Sequence, residues 1–428
     1  MDTLASGFIR WTSVEKINFR FLFVFFLLFI VVENNGAFPF FDVIMHYPTE
    51  GLHAFVVWLG KYVLRLPYDI VHFTYGSGDT TYDYILVLCC FVIALLSATV
   101  WSLLDRQSEA YPKLYYWLTV IVRFYVGLML INYGMIKIFK LQFPYPYLFR
   151  LLQPYGDSSP MGLAWTFLGF SKGYNYFMGL AEVAAGLLLF RRTMTFGALL
   201  TMVTAANVMA INYFYDVPVK ILSTALFVLS VFLASRDLKR IAAFFFSGTP
   251  VSLPVIPYPY AGNRKMNIAR IVTKVLVIGF VLVSTVLQGV EFEKQYGDSA
   301  PKPALWGIYN VETFVLGKDT LPPLMTDTLR WKKLAISNLT QVRIFHVNDS
   351  IGRYLAQIDT TKKTMTLSKG ELEYRLSYQQ RDSVNFIFTG LLQKDSVIIA
   401  ARKVKFRPED FRLMGRGFHW INETPYNQ

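Results

Sequence analysis

A series of long apolar stretches constrains this chain more than any other feature, because each approaches the ~20 residues a helix needs to cross bilayer hydrocarbon. Seven are read, near Phe19–Gly36, Tyr84–Leu104, Tyr115–Ile138, Tyr174–Phe190, Met194–Phe214, Val217–Ala234 and Ile271–Val290. Of the 428 residues, 54% are hydrophobic, and the mean hydropathy is +0.37. That excess exceeds what a water-soluble core absorbs, so part of it has to face lipid. The period of the sequence then changes. Leu329–Ile336, Val342–His346, Tyr354–Ile358, Thr364–Leu367, Asn385–Leu391 and Ser396–Val404 read as short strands, opened by Gly307–Glu312 and separated by turns such as Asn348-Asp349-Ser350 and Lys394-Asp395. The expected fold class is an α-helical polytopic membrane bundle of about seven transmembrane helices, followed by a small antiparallel β domain, a lipocalin-like meander barrel or a sandwich. The expected organisation is a helical domain over 1–290, a linker over 291–305 and a β domain over 306–428.

The net charge of +13 is distributed beside the apolar stretches rather than on a nucleic-acid-binding face. Arg10/Lys16, Arg106/Lys113, Arg191/Arg192, Arg236/Lys239/Arg240 and Arg264/Lys265/Arg270 fall on alternate ends of the stretches, as cytoplasmic loops require. No small-x-small cleavage site follows the first stretch, which reads as an uncleaved signal anchor. An internal N-terminus and an odd number of spans place everything after about Glu291 outside. The expected location is the bacterial inner membrane, with a periplasmic β domain. Leu52–Leu66, in the first outer loop, has the apolar spacing of an amphipathic helix lying in the interface.

Ionisable residues are costly in lipid and mark candidate sites. In the third stretch Arg123, Gly127, Gly134 and Lys137 share a helix face, and in the fourth Gly179, Glu182 and Gly186 form another. Glu182 needs a cationic partner, Arg123 or Lys137. These three are the candidate catalytic residues. Asn207, Asn212, Tyr213, Asp216, Lys220 and Gln142 are the candidate cofactor-binding residues, expected to gather with Lys137 as a polar pocket in the outer half of the bilayer. The alternative is that these groups are structural pairs fixing helix register, or cations snorkelling to the interface. His46, His53 and His72 share the first outer loop without metal-motif spacing, so no metal is expected. The only cysteines, Cys89 and Cys90, are adjacent and apolar in context, which excludes a disulfide framework. The segment Arg416–Glu423 is dense in contact-making side chains and reads as a terminal strand or plug, or as a tail packed back onto the barrel or onto the outer mouth of the helical domain.

Several of these residues resemble the DoxX-like membrane family. The resemblance lies in Arg123-Phe124, Gly127, Tyr133-Gly134, Lys137 and Gln142-Phe143-Pro144, in Gly156–Leu163 with Trp165, in Glu182, and in Asn207 through Tyr215–Lys220. It is closest to longer Bacteroidetes-type members and includes the tail Arg416–Glu423. It implies a bundle that handles quinone-like molecules or supports redox partners. Two functions stay open. One is a quinone-linked redox component or accessory subunit. The other is a non-enzymatic envelope protein whose bundle anchors a β domain that binds a lipid, a peptide or a protein partner. A transporter is weaker, since no inverted repeat is evident.

Overall fold

The computed structural model describes residues 10–71, 76–259, 263–337, 341–392 and 394–427. The chain divides into two compact units, Met1–Gln142 with Gly173–Glu291, and Phe143–Lys172 with Phe292–Gln428. The insertion 143–172 therefore belongs with the β-rich unit, a grouping that sequence order conceals.

The first unit is helical: α1 Ser13–Val32, α2 Phe41–Trp58, α3 Thr81–Leu104, α4 Pro112–Ile138, then α7 Lys172–Val183, α8 Met194–Phe214, α9 Lys220–Ser235, α10 Leu238–Phe246 and α11 Arg264–Tyr296. The intervening α5 Leu148–Leu152 and α6 Pro160–Phe170 lie in the second unit. The starts are written in the sequence. Thr12 with Glu15, and Thr80 with Asp83, close reciprocal capping boxes before α1 and α3. Pro112 opens α4, where its missing N–H costs nothing.

Among the described residues four helices are long and apolar enough to cross a membrane: α3, α4, α8 and α11. A fifth is formed if α9 and α10, bent 73° at their junction, count together. The remaining expected spans take other forms. Within α1, Glu15, Lys16 and Arg20 interrupt the apolar run. The stretch expected over Tyr174–Phe190 is α7 followed by a 3-10 segment, Ala184–Leu189. Helix α4 forms the centre, with Leu118, Val122, Tyr125 and Val126 fully buried. In α11 only Val281 and Gly289 are buried among the described residues, so most of its apolar surface faces outward. The expected amphipathic Leu52–Leu66 helix falls on the end of α2 and a π-helical turn, Leu59–Val63.

The second unit is a closed barrel. Strands β1 Gly307–Leu316, β3 Trp331–Ile336, β4 Gln341–His346, β5 Ile351–Asp359, β6 Thr364–Lys369, β7 Leu372–Gln380, β8 Asn385–Leu392 and β9 Asp395–Lys403 pair in sequence order. Pairing of β1 with β9, from Tyr309↔Lys403 to Leu316↔Val397, completes the circle. The two-residue β2, Asp319–Thr320, pairs outside it with β1. Antiparallel neighbours need only short turns, which Asp349 (φ 63°) and Gly370 (φ 59°) provide in left-handed conformations. Alternation sends Tyr309, Phe314, Ile344, Met365, Leu367 and Phe388 inward, each 0% exposed. Eight strands leave an interior about wide enough for side chains. Here the barrel's own side chains fill it, so of the meander barrel or sandwich expected, the structure has a closed antiparallel barrel without an open calyx.

Candidate functional site

Helices α4 and α7 touch backbone to backbone. A Cβ on Gly134 would lie 2.6 Å from the Gly179 carbonyl oxygen, and one on Gly179 would lie 2.6 Å from that of Gly134. Only glycine permits this approach, which brings Lys137 Nζ to 2.7 Å from Glu182 Oε2. The two side chains are 6% and 3% exposed. Of the two partners expected for Glu182, the structure selects Lys137. Arg123 lies fourteen residues earlier, about 21 Å along the axis at 1.5 Å per residue, so both cations cannot serve one carboxylate. Arg123 instead donates from Nε to the Leu188 carbonyl at 2.6 Å. That carbonyl is in the last turn of the 3-10 segment, where helix carbonyls lack helical partners.

The residues expected around an outer pocket hold turns and helix ends. Asn212 donates Nδ2 to the Val219 carbonyl at 3.1 Å, and the Tyr213 hydroxyl lies 3.0 Å from that of Thr224. Asp216, in a left-handed turn at φ 51°, pairs with Lys220 at 3.1 Å. Lys220 also lies 3.7 Å from Asp79. Asp79 accepts from the backbone N–H groups of Lys220 at 2.7 Å and Ile221 at 2.9 Å, and so caps α9 from a distant loop. Sequence reasoning missed Asp79, whose only signal was its place in the Gly76-Ser77-Gly78-Asp79 turn. Asn207 is exposed on α8. Gln142 is partly buried, and its Oε1 has no hydrogen-bond donor among the described residues. The expected single pocket thus resolves into a buried ion pair and a turn-fixing cluster.

The space itself lies elsewhere in the helical unit. A cavity of about 1030 Å³ opens between α4, the turn after the 3-10 segment, the stretch around Val255–Tyr258 and the first half of α11. Phe38, Trp117, Phe124, Val277 and Ile278 supply apolar wall. Arg123 is the one residue named from the sequence as a site candidate that lines it. Of the other cations on its wall, Arg191, Arg192 and Arg270 read as loop-flanking charges, and Lys274, inside the seventh apolar stretch, was not singled out. Only tertiary packing brings them together, because three separate segments contribute.

Among the described residues no group of three His, Cys, Asp or Glu side chains could hold a metal ion. His46 lies 3.7 Å from Glu50 on an exposed helix face, the His53 ring lies tilted beside that of Tyr82, and His72 lies outside the described residues. The side chains of Phe418, Trp420 and Ile421 are 76%, 90% and 77% exposed, so the tail is neither a strand nor a plug.

No family model matches the chain. No solved structure matches it. Over 84 residues it is 40% identical to an uncharacterized protein, YwoB, of Bacillus subtilis (strain 168). The match covers 19% of this chain and 54% of YwoB, so the chain spans about half the length of the curated relative it matches.

Proposed function

We propose that this chain is a multi-pass protein of the bacterial inner membrane whose helical unit holds an amphipathic small molecule, as a DoxX-like redox accessory component would. The cavity of about 1030 Å³ between α4 and α11 is the observation that carries this reading. Its walls combine broad apolar surface with hydrogen-bond donors from Arg123 and its neighbours. Such a mixture suits a ligand with an oxygen-bearing head and a hydrocarbon tail. A quinone is one molecule of that class, and would supply electron transfer when bound. The protein's part is to orient the head and exclude water. In this reading the chain crosses the bilayer seven times, with α1, α7 with its 3-10 extension, and α9 joining α3, α4, α8 and α11. The barrel unit is then periplasmic.

The test is mass spectrometry of small molecules retained in native lipid discs, comparing wild type with Ile278→Trp, which pushes a bulky ring from the wall into the cavity. An amphiphile enriched over bulk lipid in wild type and depleted in a folded variant is expected. The same bulk-lipid profile in both samples would sink the reading. A second reading, an envelope anchor for a partner-binding barrel, is favoured by the exposed tail side chains of Phe418, Trp420 and Ile421. It predicts that Ile278→Trp is silent, whereas Trp420→Ala weakens partner binding.

A further inference from the structure

Cations at the ends of the helices are mostly matched by groups of this chain. Arg20 donates to Tyr111, Ser102 and the Asp105 carbonyl. Arg236 and Arg240 flank the fully buried Asp237 at 3.7 and 3.0 Å. Lys137 has Glu182. The cavity beside α11 breaks this pattern. Among the described residues five cations line it, Arg123, Arg191, Arg192, Arg270 and Lys274, and no aspartate or glutamate does.

Arg123 is 2% exposed and has no ion-pair partner among the described residues. Its one described hydrogen bond leaves the formal charge uncompensated. Arg270 sits with its guanidinium carbon 4.4 Å from the Tyr258 ring, and its Nη1 is buried with no acceptor among the described residues. Lys274, one helical turn on, places Nζ 3.9 Å from the Phe190 ring. Aromatic faces orient cations and soften their desolvation, but they carry no net charge. Unpaired cations in apolar surroundings are unfavourable unless a counterion joins them.

We infer that the cavity takes an anionic amphiphile, with a phosphate or carboxylate head held by Arg123, Arg270 and Lys274 and a hydrocarbon chain along the apolar wall. This rests on the proposed ligand-binding role and narrows it, since a neutral quinone answers the space and leaves the charge unanswered. Guanidinium groups favour this head, because their paired N–H donors match two oxygens of one anion.

The full chain is purified in detergent and titrated, by native mass spectrometry, with phosphatidylglycerol, phosphatidylcholine of the same chains, a long-chain ubiquinone and inorganic phosphate. Saturable phosphatidylglycerol binding, about tenfold tighter than phosphatidylcholine, is expected because the choline cation of phosphatidylcholine offsets the phosphate charge and meets like charge in the cavity. Arg270→Gln/Lys274→Gln should lose that preference, Lys274→Arg should keep it, and the exposed Arg10→Gln should not alter it. Thermal melting of each variant confirms folding. Equal affinity for both phospholipids overturns the inference, as does an equal loss in Arg10→Gln. Inorganic phosphate binding as tightly as phosphatidylglycerol removes the amphiphile from it. Ubiquinone bound saturably without phosphatidylglycerol preference overturns the anion while leaving the ligand-binding role intact. Saturable binding of none of the four overturns both.

Discussion

Lys137 and Glu182, 2.7 Å apart and nearly sealed from solvent, have each exchanged hydration for the other. Removing one partner strands the other charge, which typically costs about 3–5 kcal/mol, whereas replacing both with apolar groups is often neutral. Glu182→Gln should therefore melt well below wild type in detergent, and Lys137→Met/Glu182→Leu should recover most of the loss. Equal melting of the single and double variants would show that the pair does not act as a unit. A second residue-scale effect lies in the barrel. Burial pushes the His346 imidazole below its usual value, against weaker upward pulls from backbone groups near Leu329 and Arg330 and from Asp327. The unfolded chain then takes up that proton first, near pH ~6.5. Its contribution to stability is complete above that pH and declines as pH falls through it toward the lowered folded value. Hydrogen exchange of the barrel strands between pH 7.5 and 5.5 should show this slope, and His346→Gln should flatten it. At this scale the sequence was partly legible. The charges within apolar stretches and their flanking glycines announced a buried pair, while the choice of Lys137 over Arg123 came from axial separation along α4.

Among the elements, α9 shows how a helix depends on residues far away in sequence. Its first backbone N–H groups are satisfied by Asp79, whose side chain is only 7% exposed. Asp79→Ala should destabilise the helical unit by roughly 0.5–2 kcal/mol, the usual loss for a cap, and Asp79→Asn by less. Thermal unfolding with protection of α9 amides as the readout checks this, and undiminished protection in Asp79→Ala would refute the capping role. The bend between α9 and α10 has a visible consequence too. Phe244, Phe245 and Phe246 are 65%, 66% and 88% exposed, beside Lys239 and Arg240, the arrangement of a helix lying in a membrane interface. Strand periodicity was legible where turns bounded it. Strand β7 escaped because Glu373, Arg375 and the two glutamines dilute it, although Tyr374 and Leu376 alternate inward as a half-buried strand demands. The switch from α-helix to 3-10 helix at Ala184 has no signal in an all-apolar run, since without polar residues there is no period to distinguish ~3.0 from ~3.6 residues per turn.

For the molecule as a whole, topology is the proposal most open to direct test. A phosphatase active only outside the cytoplasm, fused after Ala300, should be active, and the same fusion after Ser108 should be inactive. Activity at both sites, or at neither, would rule out the seven-crossing arrangement. The sequence by itself determined that this chain carries helices long and apolar enough to cross a membrane and a β-rich region, because hydropathy and period are local properties that need only neighbouring residues. It also marked Arg123, Lys137 and Glu182 as costly charges, because desolvation depends on the apolar run around a residue, but passed over Arg20 and Lys274 in other stretches. Tertiary structure alone decided that the strands close into a filled barrel, through pairing of β1 with β9, about ninety residues apart. It alone placed residues 143–172 in the barrel unit. And it alone assembled the cation-lined cavity, since Arg123, Arg191 and Arg270 lie on separate segments and only packing makes one electrostatic environment of them.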